Sequence, residues 1–260
     1  MSSNETEKSF SRRNFLKMSG MATGTLVAGT YLGTLLKDDP TQPESPETAT
    51  EGGQSEGGGE QAEETPDYGR AYKFFQKQED FATIEAAAER IFPEDDNGPG
   101  AASLGIAWFI DHELAGGYGS NSREYMKGPF KEGTDYQGPQ YAMVRREIFS
   151  EGIRVMNAQA EEQFDAQFAE IEGDQQDEIL TQMEQDDIEI PGLKASDFFE
   201  ELRLVTLSGA YADPLYGGNI KMKGWEMKKF PGAYMSYANE IEQDGFIDKE
   251  TQPLSSHVSH

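Results

Sequence analysis

The sequence predicts an all-α protein: one irregular helical domain over residues 70–250, preceded by an N-terminal signal or anchor (1–37) and a disordered acidic linker (38–69), and followed by a flexible tail (251–260). Three observations carry this reading. Apolar residues beyond position 80 recur at helical intervals between Gly and Pro punctuation, no long run alternates polar with apolar, and the first quarter lacks the apolar content to build a core.

Paired arginines, Arg12 and Arg13, stand before Phe15 and Leu16 and then before 19 uncharged residues from Met18 to Leu36. Basic, apolar and polar regions in that order match a twin-arginine export signal, which carries proteins across the membrane already folded. The apolar stretch ends without a small-x-small cleavage pattern, and at ~1.5 Å per residue it is long enough to remain as an uncleaved anchor. Residues 38–69 follow with ten acidic side chains, no basic ones and several Pro and Gly residues, the composition of a hydrated tether.

Helical periodicity begins at residues 80–92, where Asp80 is the expected N-cap, Phe81, Ile84, Ala88 and Ile91 form one face, and Pro93 stops the run. A second helix is expected over 101–114, with Leu104, Trp108 and Ile110 near one stripe and Gly116-Gly117 at its end. Between the two, residues 93–101 are rich in oxygen donors. Their spacing misses the alternate-position ligands and the distal Glu of a calcium loop, so a tight Gly-stabilised connection is expected. Tyr141, Val144, Ile148, Ile153, Met156, Phe164 and Phe168 mark a long helix over about 139–171, expected to be the central packing element. Asp174 is the expected cap of a short helix carrying Ile179, Leu180 and Met183. Asp197 with Glu200 reads as an Asp form of the capping box ahead of residues 198–207.

The charge balance narrows function. With 22 Lys plus Arg against 48 Asp plus Glu, the net charge of -26 offers no basic footprint for nucleic acid. Such acidity with modest apolar content is a halophilic pattern, because concentrated salt screens the self-repulsion. Cysteine is absent, which excludes disulfides, thiolate nucleophiles and iron-sulfur ligation in this chain. Of three histidines only His112 lies in the folded part, near the negative end of its helix, where capping or surface placement is expected. No Gly-x-Gly-x-x-Gly cofactor fingerprint and no Gly-x-Ser-x-Gly elbow is present. Neither catalytic residues, nor metal ligands, nor a bound cofactor are therefore expected in this chain.

The densest information lies at residues 209–233: Tyr211-x-Asp213-Pro214-x-Tyr216-Gly217-Gly218-Asn219, then Gly224-Trp225 and Pro231-Gly232-Ala233. Glycine permits positive φ, proline fixes turns, and Tyr and Trp supply stiff contact area. Such a segment is either a clamp over the helical core or a surface for a partner.

These motifs resemble the C-terminal signature of the gluconate 2-dehydrogenase subunit 3 family. Ile91-Phe92-Pro93 through Pro99-Gly100-Ala101, then Phe109-Ile110-Asp111 and Gly138-Pro139-Gln140, resemble its earlier part, over about residues 80–237 in all. The resemblance implies a non-catalytic small subunit and a large FAD-dependent partner of the glucose-methanol-choline type that oxidises a sugar, sugar acid or alcohol. It also implies that the twin-arginine leader serves both chains through the Tat translocase, with the membrane as a further partner if the leader is retained. Tyr211, Asp213, Pro214, Tyr216, Gly217, Gly218, Asn219, Trp225 and Pro231 are the expected partner-binding residues. The rival readings are an exported structural or ligand-binding surface protein and a free-standing hydrolase working through carboxylates; a solitary gene, without a leaderless flavoprotein beside it, would favour these.

Overall fold

The computed structural model describes residues 71–257, residues 132 and 135 excepted; the signal and the linker expected from the sequence lie outside the described residues. The described part is mostly helical. Its α-helices are α1 (Gln78–Ile91), α2 (Ile106–Ala115), α3 (Arg145–Phe164), α4 (Gly173–Glu184), α5 (Ala195–Tyr211) and α6 (Lys223–Lys228), with one small hairpin of β1 (Glu189–Ile190) and β2 (Leu193–Lys194).

α1 buries Phe81, Ile84, Ala88 and Ile91, the face its periodicity predicts. Its start differs from expectation: Lys77 occupies the N-cap and Asp80 sits inside the first turn, where its charge favours the helix dipole without capping it. α2 begins at Ile106, later than expected, because residues 101–105 form turns that end on Gly105 in a left-handed conformation. The connection between α1 and α2 uses its own oxygens. Glu89 accepts from the N–H groups of Glu94 and Ala102, and Asp95 accepts from that of Asn97.

The long helix is shorter than its apolar pattern suggests. α3 starts at Arg145, where the Glu147 carboxylate accepts from Val144 N at 3.0 Å, and it stops at Asp165, whose φ of 58° ends the helical path. Phe168 continues the i, i+4 spacing from Phe164 into the following turn and is fully buried there. α4 is closed by Gln175, whose side chain accepts from Glu172 N at 2.9 Å, so Asp174 is not its cap.

β1 and β2 pair Glu189 with Lys194 and Ile190 with Leu193. Strands of two residues carry no period, and the hairpin has no signature in the sequence. α5 follows at once from Lys194, and Asp197 accepts from the Tyr141 hydroxyl instead of forming a capping box.

α5, not α3, is the hub: it packs against each of the other five α-helices and against β2. Phe198 on α5 and Phe149 on α3, both fully buried, meet edge to face at 5.6 Å. α3 approaches closely enough that a Cβ on Gly152 would lie 2.3 Å from the Phe198 ring. Gly152→Ala is accordingly expected to cost about 1–3 kcal/mol through overpacking, read as a lower melting midpoint; an unchanged midpoint would contradict the close crossing.

Polar ties complete the body. Arg90 on α1 grips Asp177 on α4 through two bonds of 2.7 and 2.6 Å. Asn157 Oδ1 accepts from the Thr83 hydroxyl and from Phe168 N. The fully buried Asp111 carboxylate accepts from the N–H groups of Lys73, Phe74 and Phe75 at 2.6, 3.0 and 2.9 Å, holding the entering chain along α2. Beside it Tyr72 stacks on Trp108 with ring centres 5.2 Å apart.

The far end is tied down as well. Residues 251–257, expected as a flexible tail, dock instead. Gln252 N donates to Pro231 O, Ala233 N donates to Gln252 O, and Leu254 N donates to the Asp213 carboxylate at 2.8 Å.

Candidate partner-binding segment

α5 ends at Tyr211 because Ala212 and Asp213 are extended, the conformation that a following proline favours. Asp213 then works twice. One carboxylate oxygen accepts from Leu215 N at 3.0 Å and starts the 3-10 turn Pro214–Tyr216, while the other receives Leu254 N. Gly217 closes the turn at φ 99°, a left-handed conformation that suits glycine. It lies beside the ring of His112, which stands in the last turn of α2 as expected from sequence and, half-buried, also packs beneath this turn.

Gly218 rests on the backbone of Gly209. Asn219 is fully buried in a left-handed conformation, its amide donating to Ala212 O at 2.8 Å and accepting from Gly224 N at 2.7 Å. A second 3-10 turn, Ile220–Met222, leads directly into α6. There Trp225, only 5% exposed, donates through Nε1 to Tyr211 O at 2.7 Å and meets Phe230 edge to face at 5.3 Å. Tyr211 is half-buried against the edge of Phe92, and the carbonyl of half-buried Pro231 receives Gln252 N.

The segment therefore divides. Asp213, Gly218, Asn219 and Trp225 are buried: Gly218, Asn219 and Trp225 hold the chain to the end of α5, Asp213 ties it to Leu254, and Gly217 closes against His112 of α2. Leu215 and Tyr216 face outward, 62% and 49% exposed, on a turn whose backbone the bracket holds. Sequence reasoning assigned both groups to one surface, since spacing in a non-repeating loop does not reveal which side chains point in. The sequence does not single out Leu215, the exposed position between Pro214 and Tyr216.

Elsewhere, an open cleft of about 580 Å³ is bordered by Thr134, Tyr141, Lys194, Asp197 and Glu200. Within it the Tyr141 hydroxyl donates to Asp197 and accepts from the Lys194 backbone N–H at 3.1 Å. Burial first, then the bond to Asp197, pushes Tyr141 up to about 12. Tyr118, which donates to Glu201 at 2.9 Å, is likewise raised by burial and by the Glu201 charge. Phenols held so high keep their protons at neutral pH and serve as donors, not as bases. Among the described residues no group of three or more acidic or histidine side chains is placed to hold a metal ion, and no helix is long and apolar enough to cross a membrane.

Fold and segment together define a mostly helical protein with a hydrogen-bonded bracket that leaves Leu215 and Tyr216 exposed. The family profile described as "Gluconate 2-dehydrogenase subunit 3" matches residues 78–232, more than half of the chain, from the start of α1 to just beyond the bracket. The chain belongs to the gluconate 2-dehydrogenase subunit 3 family, a family of subunits of a multi-subunit dehydrogenase complex. No curated protein and no solved structure matches it.

Proposed function

We propose that this chain is the non-catalytic small subunit of an exported FAD-dependent dehydrogenase of the glucose-methanol-choline type, acting on a sugar, sugar acid or alcohol. It binds the folded flavoprotein, escorts it through the Tat translocase and holds it at the outer face of the cytoplasmic membrane. The observation that carries this reading is the family match over residues 78–232. Arg12, Arg13, Phe15 and Leu16 supply the export address, and the Leu215–Tyr216 turn supplies a preorganised apolar contact.

The escort role is tested with the flavoprotein expressed beside this chain carrying Arg12→Lys and Arg13→Lys. The flavoprotein is expected to stay in the cytoplasm. Its appearance outside the cell, in amounts equal to those with the unaltered chain, would overturn the escort role.

The acidic surface supports a salt-adapted setting. Lowering salt from 1 M to 0.1 M lengthens the screening distance from ~3 Å to ~10 Å and exposes the excess of carboxylates to one another. The melting midpoint of the subunit is expected to fall along that series. A constant midpoint would remove the halophilic reading and leave the escort role untouched.

A further inference from the structure

Residues beyond the family match form a closed loop with an unusual face. Its two ends are pinned together: Gly232 bridges to Gln252, Ala233 N donates to Gln252 O, and the Tyr234 hydroxyl donates to Glu250 O at 2.6 Å. A second tie crosses its interior, where Lys249 pairs with Glu240 and lies 4.2 Å from the ring centre of Tyr234 and 5.1 Å from that of Tyr237. Between these ties the loop turns Met235, Ile241 and Phe246 into solvent, 70%, 80% and 90% exposed. An unsupported tail would sample many conformations; a loop pinned at its base and waist holds its apolar side chains nearer to one arrangement and loses less entropy on binding.

We propose that this loop is a second docking element for the flavoprotein subunit, seated in an apolar depression with a basic rim. The proposal rests on the reading of the chain as a small subunit. Two observations select the occupant. First, the loop is joined to the bracket: Asp213 receives both Leu215 N and Leu254 N, so the exposed turn and the segment that closes the loop share one side chain, and Gly232 at the loop's base lies against the Trp225 ring. The two apolar surfaces are thereby set by one anchor, and one partner can meet both. Second, the loop intersperses its apolar residues with Glu240, Glu242, Asp244, Asp248 and Glu250, while its one cation, Lys249, is spent on Glu240. A second copy of so acidic a chain would oppose like charges around the contact, whereas a partner with Lys and Arg at the rim complements it.

The test co-expresses full-length chain with the flavoprotein subunit of the same source, tagged on the flavoprotein, and compares wild type with Met235→Ser/Ile241→Ser/Phe246→Ser and with Phe246→Ser alone. The triple variant is expected to lose at least about tenfold in co-elution, with the single variant intermediate, as for removal of anchor residues. Its melting midpoint should match wild type, since the three side chains are exposed. Undiminished co-elution of the triple variant beside normal co-elution of wild type overturns the loop's role alone. Early melting of both variants overturns it too, because the side chains would then serve this subunit's own fold. Failure of wild type to co-elute removes the small-subunit reading, and the docking proposal with it. A dimer of isolated wild type that becomes a monomer in the variants assigns the loop to a second copy and overturns the stated occupant.

Discussion

Replacing Trp225 by alanine is expected to lower the melting midpoint of the isolated subunit by on the order of 10 °C. The side chain is 5% exposed, packs against Phe230 and donates to Tyr211 O. Truncating a buried Trp costs about 3–5 kcal/mol, and a domain of this size loses roughly 2–4 °C per kcal/mol. The orphaned Tyr211 carbonyl adds to the loss unless water reaches it. Tyr216→Ala makes the opposite expectation. Half exposed on the turn, it should leave the midpoint almost unchanged while weakening association with the proposed flavoprotein partner by about thirtyfold, the equivalent of ~2 kcal/mol. Calorimetry of the subunit and co-elution of the complex separate the two. A Trp225→Ala protein that melts like wild type would mean that the bracket does not hold the C-terminal third to the helices.

The second large effect is expected at Asp111. Alanine there leaves the N–H groups of Lys73, Phe74 and Phe75 without their acceptor in a partly buried setting, at a cost of roughly 3 kcal/mol or the detachment of the entering chain, whichever is smaller. Hydrogen exchange distinguishes these from no effect: the three amides should lose protection while the α5 amides keep theirs. Asp111→Asn retains an acceptor but lacks the charge and turns an amino group toward one of the donors, so partial loss is expected. Unchanged exchange in the alanine variant would show that aromatic contacts such as Tyr72 on Trp108, not the carboxylate, hold the segment.

The apolar faces of the helices were readable from sequence because period 3.6 survives any charge composition: Phe81, Ile84, Ala88 and Ile91 are all buried. Helix starts were not. Asp80, Asp174 and Asp197 each looked like a cap, but in a chain with 48 acidic residues an Asp before an apolar run carries little information. The observed N-caps are Lys77, Glu172 and Lys194, two of them lysines that no composition rule favours. The apolar pattern overstates the length of α3 because Phe164 and Phe168 keep helical spacing across a turn that Asp165 makes by going left-handed. Asp111 stands out in the sequence only within the Phe109-Ile110-Asp111 motif, which says nothing of its structural role. A buried carboxylate serving backbone donors some 36 residues away leaves no local pattern. For the segment around residues 211–225, residue type showed that something rigid was built there, and only coordinates separate the bracketing residues from Leu215 and Tyr216.

The pinned loop between Gly232 and Gln252 has a consequence for how this part of the chain can change over generations. A ring closed by noncovalent ties at its base resists lengthening only weakly: doubling the number of residues it encloses adds just ~0.6 kcal/mol of closure entropy. Insertions and deletions within it are therefore nearly neutral for the helical body, provided the ties at Asp213, Pro231 and Gln252 persist. The family profile stops at residue 232, where the ring begins. Architecture of this kind lets the tip drift in length and composition, while the residues that close the ring remain under the constraint of the fold.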